Sequence, residues 1–378
     1  MKVGLVAQGD PASALDLANG LHKLGIAVTL YLSHAHITKE TGDPDQPLKR
    51  LYEVGLVPPE CCVRLIHFLR RRDLRSVDMI RKMAQTLRSD GIDLAHIVAG
   101  PDEFWLSGLA CLISDIPVVS TMVVPKPNVG DLSIVTWGSN MLLARSSNML
   151  IVNGADQVQR VHKSYGLPFN RIAYVPLGAR MTSVKWRHQG QPEEPATVLF
   201  FGRASPHKGL EYLIRAQPLI TLQVPQARIV IVGHGPEIDR CRPMIKDLPR
   251  FEIHEGYVTS DLMASFFEKA SLVALPYLSA STSGILLTSY GFGKPVVATN
   301  VGCLPEYVQD GVTGILVPPS NVAELSNAII RLLLDDARRH KMGETAKQWV
   351  EEKEQEIVQK TLSVYERAST MHKVALIL

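Results

Sequence analysis

The chain has 378 residues, about two domains' worth, and at 46% hydrophobic and 20% charged it has the make-up of a well-cored globular protein. A formal net charge of +3 gives no whole-chain signal for nucleic acid, and five cysteines, including the adjacent pair Cys61-Cys62, point to a reducing compartment over a disulfide framework. No CxxC or His/Cys cluster has metal-site spacing, no apolar run could span a bilayer, and the opening MKVGLVAQGD has too short an apolar run for a signal peptide, so a metal-free cytoplasmic protein is expected.

Lys2 to Ala7 reads as a strand, Gln8 to Pro11 as a turn, and Ala12 to Leu24 as a helix stopped by Gly25. Ile26 to Leu32 is the next strand. This opening lacks GxGxxG, so no dinucleotide is indicated, although Gly9 could bring backbone near a ligand. His34 to Val57 is polar and irregular. Arg64 to Arg88 then carries eight basic residues against Asp73 and Asp78, interleaved with Leu65, Ile66, Phe68, Leu69, Leu74, Met79 and Ile80. A basic amphipathic helix, or a pair of them, is expected, facing either plain solvent or an anionic membrane surface. Strands follow at Asp93 to Val98, with His96 near the end, and at Pro117 to Val124, before the Pro-rich loop Pro125 to Asp131. Met149 to Asn153 and Ile172 to Val175 complete a doubly wound α/β first domain, residues 1–179.

Residues 180–195, rich in charge, Gly and Pro, read as an interdomain linker. A second βα series occupies 196–345. Val198 to Phe201 leads into Gly202-Arg203-Ala204-Ser205-Pro206-His207-Lys208-Gly209, Arg228 to Val232 into Gly233-His234-Gly235, and Phe251 to His254 into Gly256-Tyr257-Val258. Leu272 to Leu275 is a buried strand, Ser279 to Gly284 a small polar loop, and Ile285 to Phe292 a helix. Strand, Ser/Gly loop and helix in that order build an anion site, because the first helical amides lack partners and the helix dipole adds positive charge there. Pro295 to Thr299 and Gly314 to Val317 are further strands, and a last helix from about Gly343 to Ala368 fills most of the closing segment, 346–378.

At FFGRASPHKGLEYLI, IVGHGPE and SGILLTSYGFGKPVVATNVGCLPEYVQDGVTGILVPP the chain resembles glycosyltransferase family 4. The resemblance covers nearly all of the second domain and is weaker in the first. It implies the GT-B architecture: two Rossmann-like domains facing across a cleft, with the C-terminal helix crossing back to the first. It also implies sugar transfer from a nucleotide-diphosphate donor with retention, to an acceptor saccharide or lipid-linked saccharide held by the first domain. Arg203 and Lys208 match the family's diphosphate-binding cations. Ser283, Gly284, Ile285 and Leu286 would offer amides to the distal phosphate, Gly202, Gly233 and Gly235 would allow close approach, and Gly256, Tyr257 and Val258 sit where the family holds the base. Gly9 and His96 fall to the acceptor side.

The chain also departs from the pattern. Ser281 and Ser289 stand where the family often has glutamates touching sugar and ribose, Val123 where a His is common, and Asn128 where a related subgroup often has His. These losses keep open a catalytically weak relative that binds a nucleotide sugar or a protein, and another GT-B enzyme such as an epimerase or phosphorylase. No Asp-x-Asp motif precedes a cleft strand end, so neither metal nor other cofactor is expected. The membrane reading would make the protein peripheral at the inner face.

Overall fold

The computed structural model describes residues 1–9, 11–69, 73, 75–99, 104–122, 134–178, 180–188 and 191–377. Arg70, Arg71, Arg72, Leu74, Val123, Asn128 and the loop 125–131 lie outside them. The chain divides into two compact units, residues 1–178 with 354–378, and residues 179–353.

The first unit holds a seven-stranded parallel sheet. Its strands are β1 (Lys2–Ala7), β2 (Ala27–Ser33), β3 (Cys62–Ile66), β4 (Leu94–Ala99), β5 (Val118–Met122), β6 (Met149–Val152) and β7 (Ile172–Tyr174), in the order β3-β2-β1-β4-β5-β6-β7. Six of them follow the sequence reading, and β3 corrects it. Cys62–Ile66 pairs with Thr29–Ser33 as the edge strand, so Arg64 stands on a strand and not on a basic helix. The polar stretch after β2 also gains structure, as helices His34–Thr41 and Pro47–Glu53.

The helix Ser76–Ser89 does form, but its apolar face turns inward. Ile80, Met83, Ala84 and Leu87 are buried, and the last three join the core of this sheet. Its neighbouring cations meet carboxylates: Arg64 donates to Asp90 at 2.6 and 2.5 Å, Arg75 pairs with Asp73 at 2.7 Å, Lys82 with Asp78 at 2.8 Å and Arg88 with Asp115 at 2.6 Å. The helix thus commits most of its apolar stripe to its own domain, with Val77 exposed in its first turn. No helix among the described residues is long and apolar enough to cross a membrane.

The second unit holds a six-stranded parallel sheet: β8 (Thr197–Phe201), β9 (Arg228–Gly233), β10 (Phe251–Glu255), β11 (Leu272–Leu275), β12 (Val296–Thr299) and β13 (Gly314–Val317), in the order β10-β9-β8-β11-β12-β13. Four-residue runs such as LVAL and VVAT are buried throughout because helices cover both faces of a parallel sheet. The order reverses between β8 and β11, which pair directly, Val198 opposite Leu272 and Leu199 opposite Val273. Ligands of open α/β sheets bind beyond the carboxyl ends of strands at such a switch point.

The stretch expected as a linker is docked on this second unit. Glu193 receives Lys294 Nζ at 2.9 Å and Arg339 Nη1 at 2.5 Å, and the Glu194 amide donates to the Lys269 carbonyl at 2.8 Å. Burial lowers the pKa of Lys294, while Lys294 and Arg339 outweigh the effect of burial on Glu193 and hold its carboxyl below the usual range. The last helix is longer than expected, Asp336–Ile377, and its residues from Glu354 onward belong to the first unit.

Candidate functional site

The loops after β8 and β9 are laced together by backbone. Gly202 N donates to the Val232 carbonyl at 2.9 Å, Ala204 N to His234 at 2.7 Å, and Glu237 N to Ala204 at 3.2 Å. Such crossings leave no room for side chains. A Cβ on Gly233, whose φ is 144°, would stand 1.9 Å from the Gly202 carbonyl oxygen, and one on Gly235 would stand 2.4 Å from that of Ala204. The two glycines therefore serve loop-to-loop contact, where the sequence reading assigned them to contact with the nucleotide. Glu237 is buried and held by Arg240 at 2.9 Å, so it puts no open carboxylate beside these loops.

The β8 loop also docks on the segment after β11. Leu278 N donates to the His207 carbonyl at 2.7 Å. Gly209 turns left-handed with φ 65°, and a Cβ there would meet the Pro276 carbonyl oxygen at 2.0 Å. This turn sets Lys208 Nζ 3.7 Å above the ring of Tyr277. Tyr277 is 1% exposed, and its hydroxyl lies 3.3 Å from Ser283 Oγ. Ser283 is the N-cap of the helix Gly284–Gly291, accepting from Leu286 N at 3.3 Å. A chain of contacts thus carries Lys208 to the start of that helix. The ring face attracts the ammonium by about 0.5–2 kcal/mol and fixes a flexible cation where it is used. Arg203 is exposed at the head of the same loop, Lys208 is half-buried, and Gly202 stands beside the side chain of Ile285.

The other expected site residues differ in what they present. The Leu286 amide is taken by its cap, which leaves the Gly284 and Ile285 amides as the first donors of the helix. Ser289 is fully buried and its hydroxyl donates to the Ile285 carbonyl at 2.7 Å, so it presents nothing to a ribose. Ser281 is half-buried in the loop, and Gly256, Tyr257 and Val258 cap β10, with Tyr257 exposed. In the first unit Gly9 is exposed at the end of β1. His96 is 2% exposed, with Nδ1 2.8 Å from the Tyr365 hydroxyl and Nε2 2.7 Å from Thr121 Oγ1. Burial lowers its pKa to about 3. With both ring nitrogens engaged inside the core, His96 braces the last helix against the sheet and cannot reach an acceptor.

Two residues escaped the sequence reading. Tyr277 directly follows a buried strand and a proline, which is a signal for a residue at the strand's carboxyl end. Arg180 gave no signal. It lies about a hundred residues before Gly284, yet its guanidinium packs on that glycine: a Cβ on Gly284 would be 3.0 Å from Arg180 Nη2 and 3.2 Å from Cζ.

Residues 11–181 match the model of the family described as Glycosyltransferase Family 4, and residues 195–335 match Glycosyl transferases group 1. Among curated relatives, the alpha-D-kanosaminyltransferase of Streptomyces kanamyceticus is 30% identical over 195 residues, 50% of this chain and 49% of that one. The GDP-mannose-dependent alpha-(1-6)-phosphatidylinositol monomannoside mannosyltransferase of Mycobacterium tuberculosis is 32% identical over 241 residues, 57% of this chain and 62% of that one. The chain spans about half the length of the first curated relatives it matches. Among solved structures, Anabaena HepE in complex with UDP-glucose superposes with a TM-score of 0.70 at 18% identity, covering 98% of this chain and all of that one.

Proposed function

The chain belongs to glycosyltransferase family 4 and has the two-domain GT-B fold, and from that premise we propose that it moves a sugar from a nucleotide-diphosphate donor to an acceptor. The observation that supports the reading is the chain of contacts from Lys208 through Tyr277 to Ser283 at the β8/β11 switch point, which ties a cation to the N-cap of the helix Gly284–Gly291. A departing nucleoside diphosphate gains negative charge, and preorganised donors aimed at that charge are the largest catalytic term such a site can supply. Arg203 and Lys208 take this role, Arg able to grip two oxygens and Lys acting as a point charge. These fixed cations do the work a divalent ion would do, so the reaction runs without one.

We assign the transfer a retaining course by same-face substitution. The bond from the anomeric carbon to the distal phosphate oxygen breaks, the electron pair stays on that oxygen, and the acceptor hydroxyl attacks from the same side. The acceptor is a saccharide or a lipid-linked saccharide, in polysaccharide or glycolipid assembly. A relative named for mannosyl transfer to phosphatidylinositol monomannoside supports the lipid-linked class. The test is a panel of nucleotide sugars with and without EDTA, read by nucleoside diphosphate release and by the anomeric configuration of the product. Turnover of one donor in EDTA with retained configuration is expected. Turnover of none, epimerisation without transfer, or loss restored by magnesium would each refute a named part of the proposal.

A further inference from the structure

Arg180 reaches this site from the stretch that reads as a linker. Its backbone is left-handed, φ 55°, which costs any residue with a Cβ and persists where the surroundings hold it. What holds it is visible at both ends of the helix Gly284–Gly291. The short helix Met181–Val184 lies against the far end, where a Cβ on Gly291 would be 2.7 Å from Val184 Cγ2. Arg180 is thereby set at the near end. A Cβ on Gly284 would be 3.0, 3.2 and 3.2 Å from Arg180 Nη2, Cζ and Nε, so the guanidinium plane faces that glycine. Gly284 is thus the residue that lets a cation lie over the start of the helix.

Two cations already match the donor. While sugar and nucleoside are both attached, each phosphate carries one negative charge. When the anomeric C–O bond breaks, the electron pair left on the distal phosphate creates a third. The acceptor oxygen bonds to the anomeric carbon, and its proton passes to that phosphate oxygen and on to solvent. We propose that Arg180 is a third catalytic cation of this site, answering the charge that appears on the distal phosphate as the bond breaks. The proposal rests on the donor reading above. It assigns Arg180 to the leaving group and not to ground-state donor binding, because its place is the helix start at which the distal phosphate is set.

The test compares paired probes on the full chain: UDP against UDP-glucose, and GDP against GDP-mannose, by calorimetry near pH 7.5, where the free terminal phosphate carries its second charge. Arg180→Ala should weaken the diphosphate by about 10- to 100-fold, the range for a lost charge-assisted hydrogen bond. It should weaken the sugar nucleotide by less than about threefold, since that interaction strengthens only as the bond breaks. With the accepted donor, kcat should fall by the first factor while KM barely moves, and Arg180→Lys should recover part of the loss. Arg203→Ala should weaken both members of a pair. Equal weakening of both by Arg180→Ala, or of neither, would overturn the role and leave Arg180 a structural brace. A wild-type protein that binds no diphosphate would overturn the donor reading itself.

Discussion

The two sheets reverse their strand order at comparable places, β1/β4 in one and β8/β11 in the other, yet they are equipped differently. Beyond β8 and β11 the chain sets glycines, two cations and a capped helix within a few residues of the strand ends, and it ties them to each other. In the first sheet, the titratable residue of β4 is turned into the core, where Tyr365 and Thr121 take both its nitrogens. Four of the eight cations in the charged stretch of that unit likewise meet neighbouring carboxylates. The second unit exposes its polar groups at the strand ends, and the first uses many of its own to hold itself and the last helix together.

The largest effect should come from the equipped side. Arg203→Ala and Lys208→Ala are each expected to lower turnover by about 10²-fold or more, the scale for removing one oxyanion stabiliser, with circular dichroism unchanged. Wild-type turnover in either folded variant would erase the contrast between the two switch points. Lys208 offers a finer version. If its perch matters, Tyr277→Phe, which keeps the ring, should retain most of the activity that Lys208→Ala loses, and a Phe variant as inactive as Lys208→Ala would assign the effect to the hydroxyl on Ser283.

Legibility in the sequence follows the same line. The second sheet was readable strand by strand because each buried run is bounded by glycines and followed by its own loop. The β8 loop and the strand-to-helix turn at Ser283 and Gly284 were readable for that reason, while the role of Ser283 as N-cap was not named. Arg180 was not, since nothing local connects a charged, Pro-rich stretch to a glycine about a hundred residues later. Gly233 and Gly235 were recognised as close approaches, but the thing approached is another loop. In the first sheet β3 was lost because its alternating CVRLI sits in a run of arginines, and the periodicity of the following helix extended over it. His96 misled because burial depends on Tyr365, contributed 269 residues away.

The next prediction turns on that histidine. Its folded pKa is about 3, against about 6.5 unfolded, so between those values the unfolded chain binds a proton that the folded one refuses. The stabilisation is fully present above about pH 6.5 and is lost as pH falls toward 3. At about 1.4 kcal/mol per pH unit, urea titrations should show roughly 2 kcal/mol lost between pH 6.5 and 5 through this group. His96→Gln should be less stable at neutral pH and should lack that part of the slope. An unchanged slope in the variant would mean that His96 titrates freely and faces solvent, which would reopen an acceptor role for it.

The smallest effect is expected at the basic segment, and it sharpens the contrast from the other side. Each cation near an anionic bilayer contributes about 1 kcal/mol if it is free to meet the surface. Arg64, Arg75, Lys82 and Arg88 already face carboxylates, and a surface that recruited them would first have to break those pairs. Ile80, Met83, Ala84 and Leu87 are buried and supply no insertion. The other four cations of the stretch are the exposed Arg81 and, consecutive in the sequence, Arg70, Arg71 and Arg72. We therefore expect little sedimentation with neutral or anionic vesicles at physiological ionic strength. At about 0.01 M salt, where the Debye length reaches about 30 Å, a minor anionic-selective fraction should appear and disappear in the variant with all four changed to Glu. Strong sedimentation that persists in about 0.5 M salt would mean that the ion pairs open and the helix Ser76–Ser89 turns its apolar face outward. The first unit would then be a surface-active module whose charges are not committed to holding it together, and a lipid-linked acceptor would gain direct support.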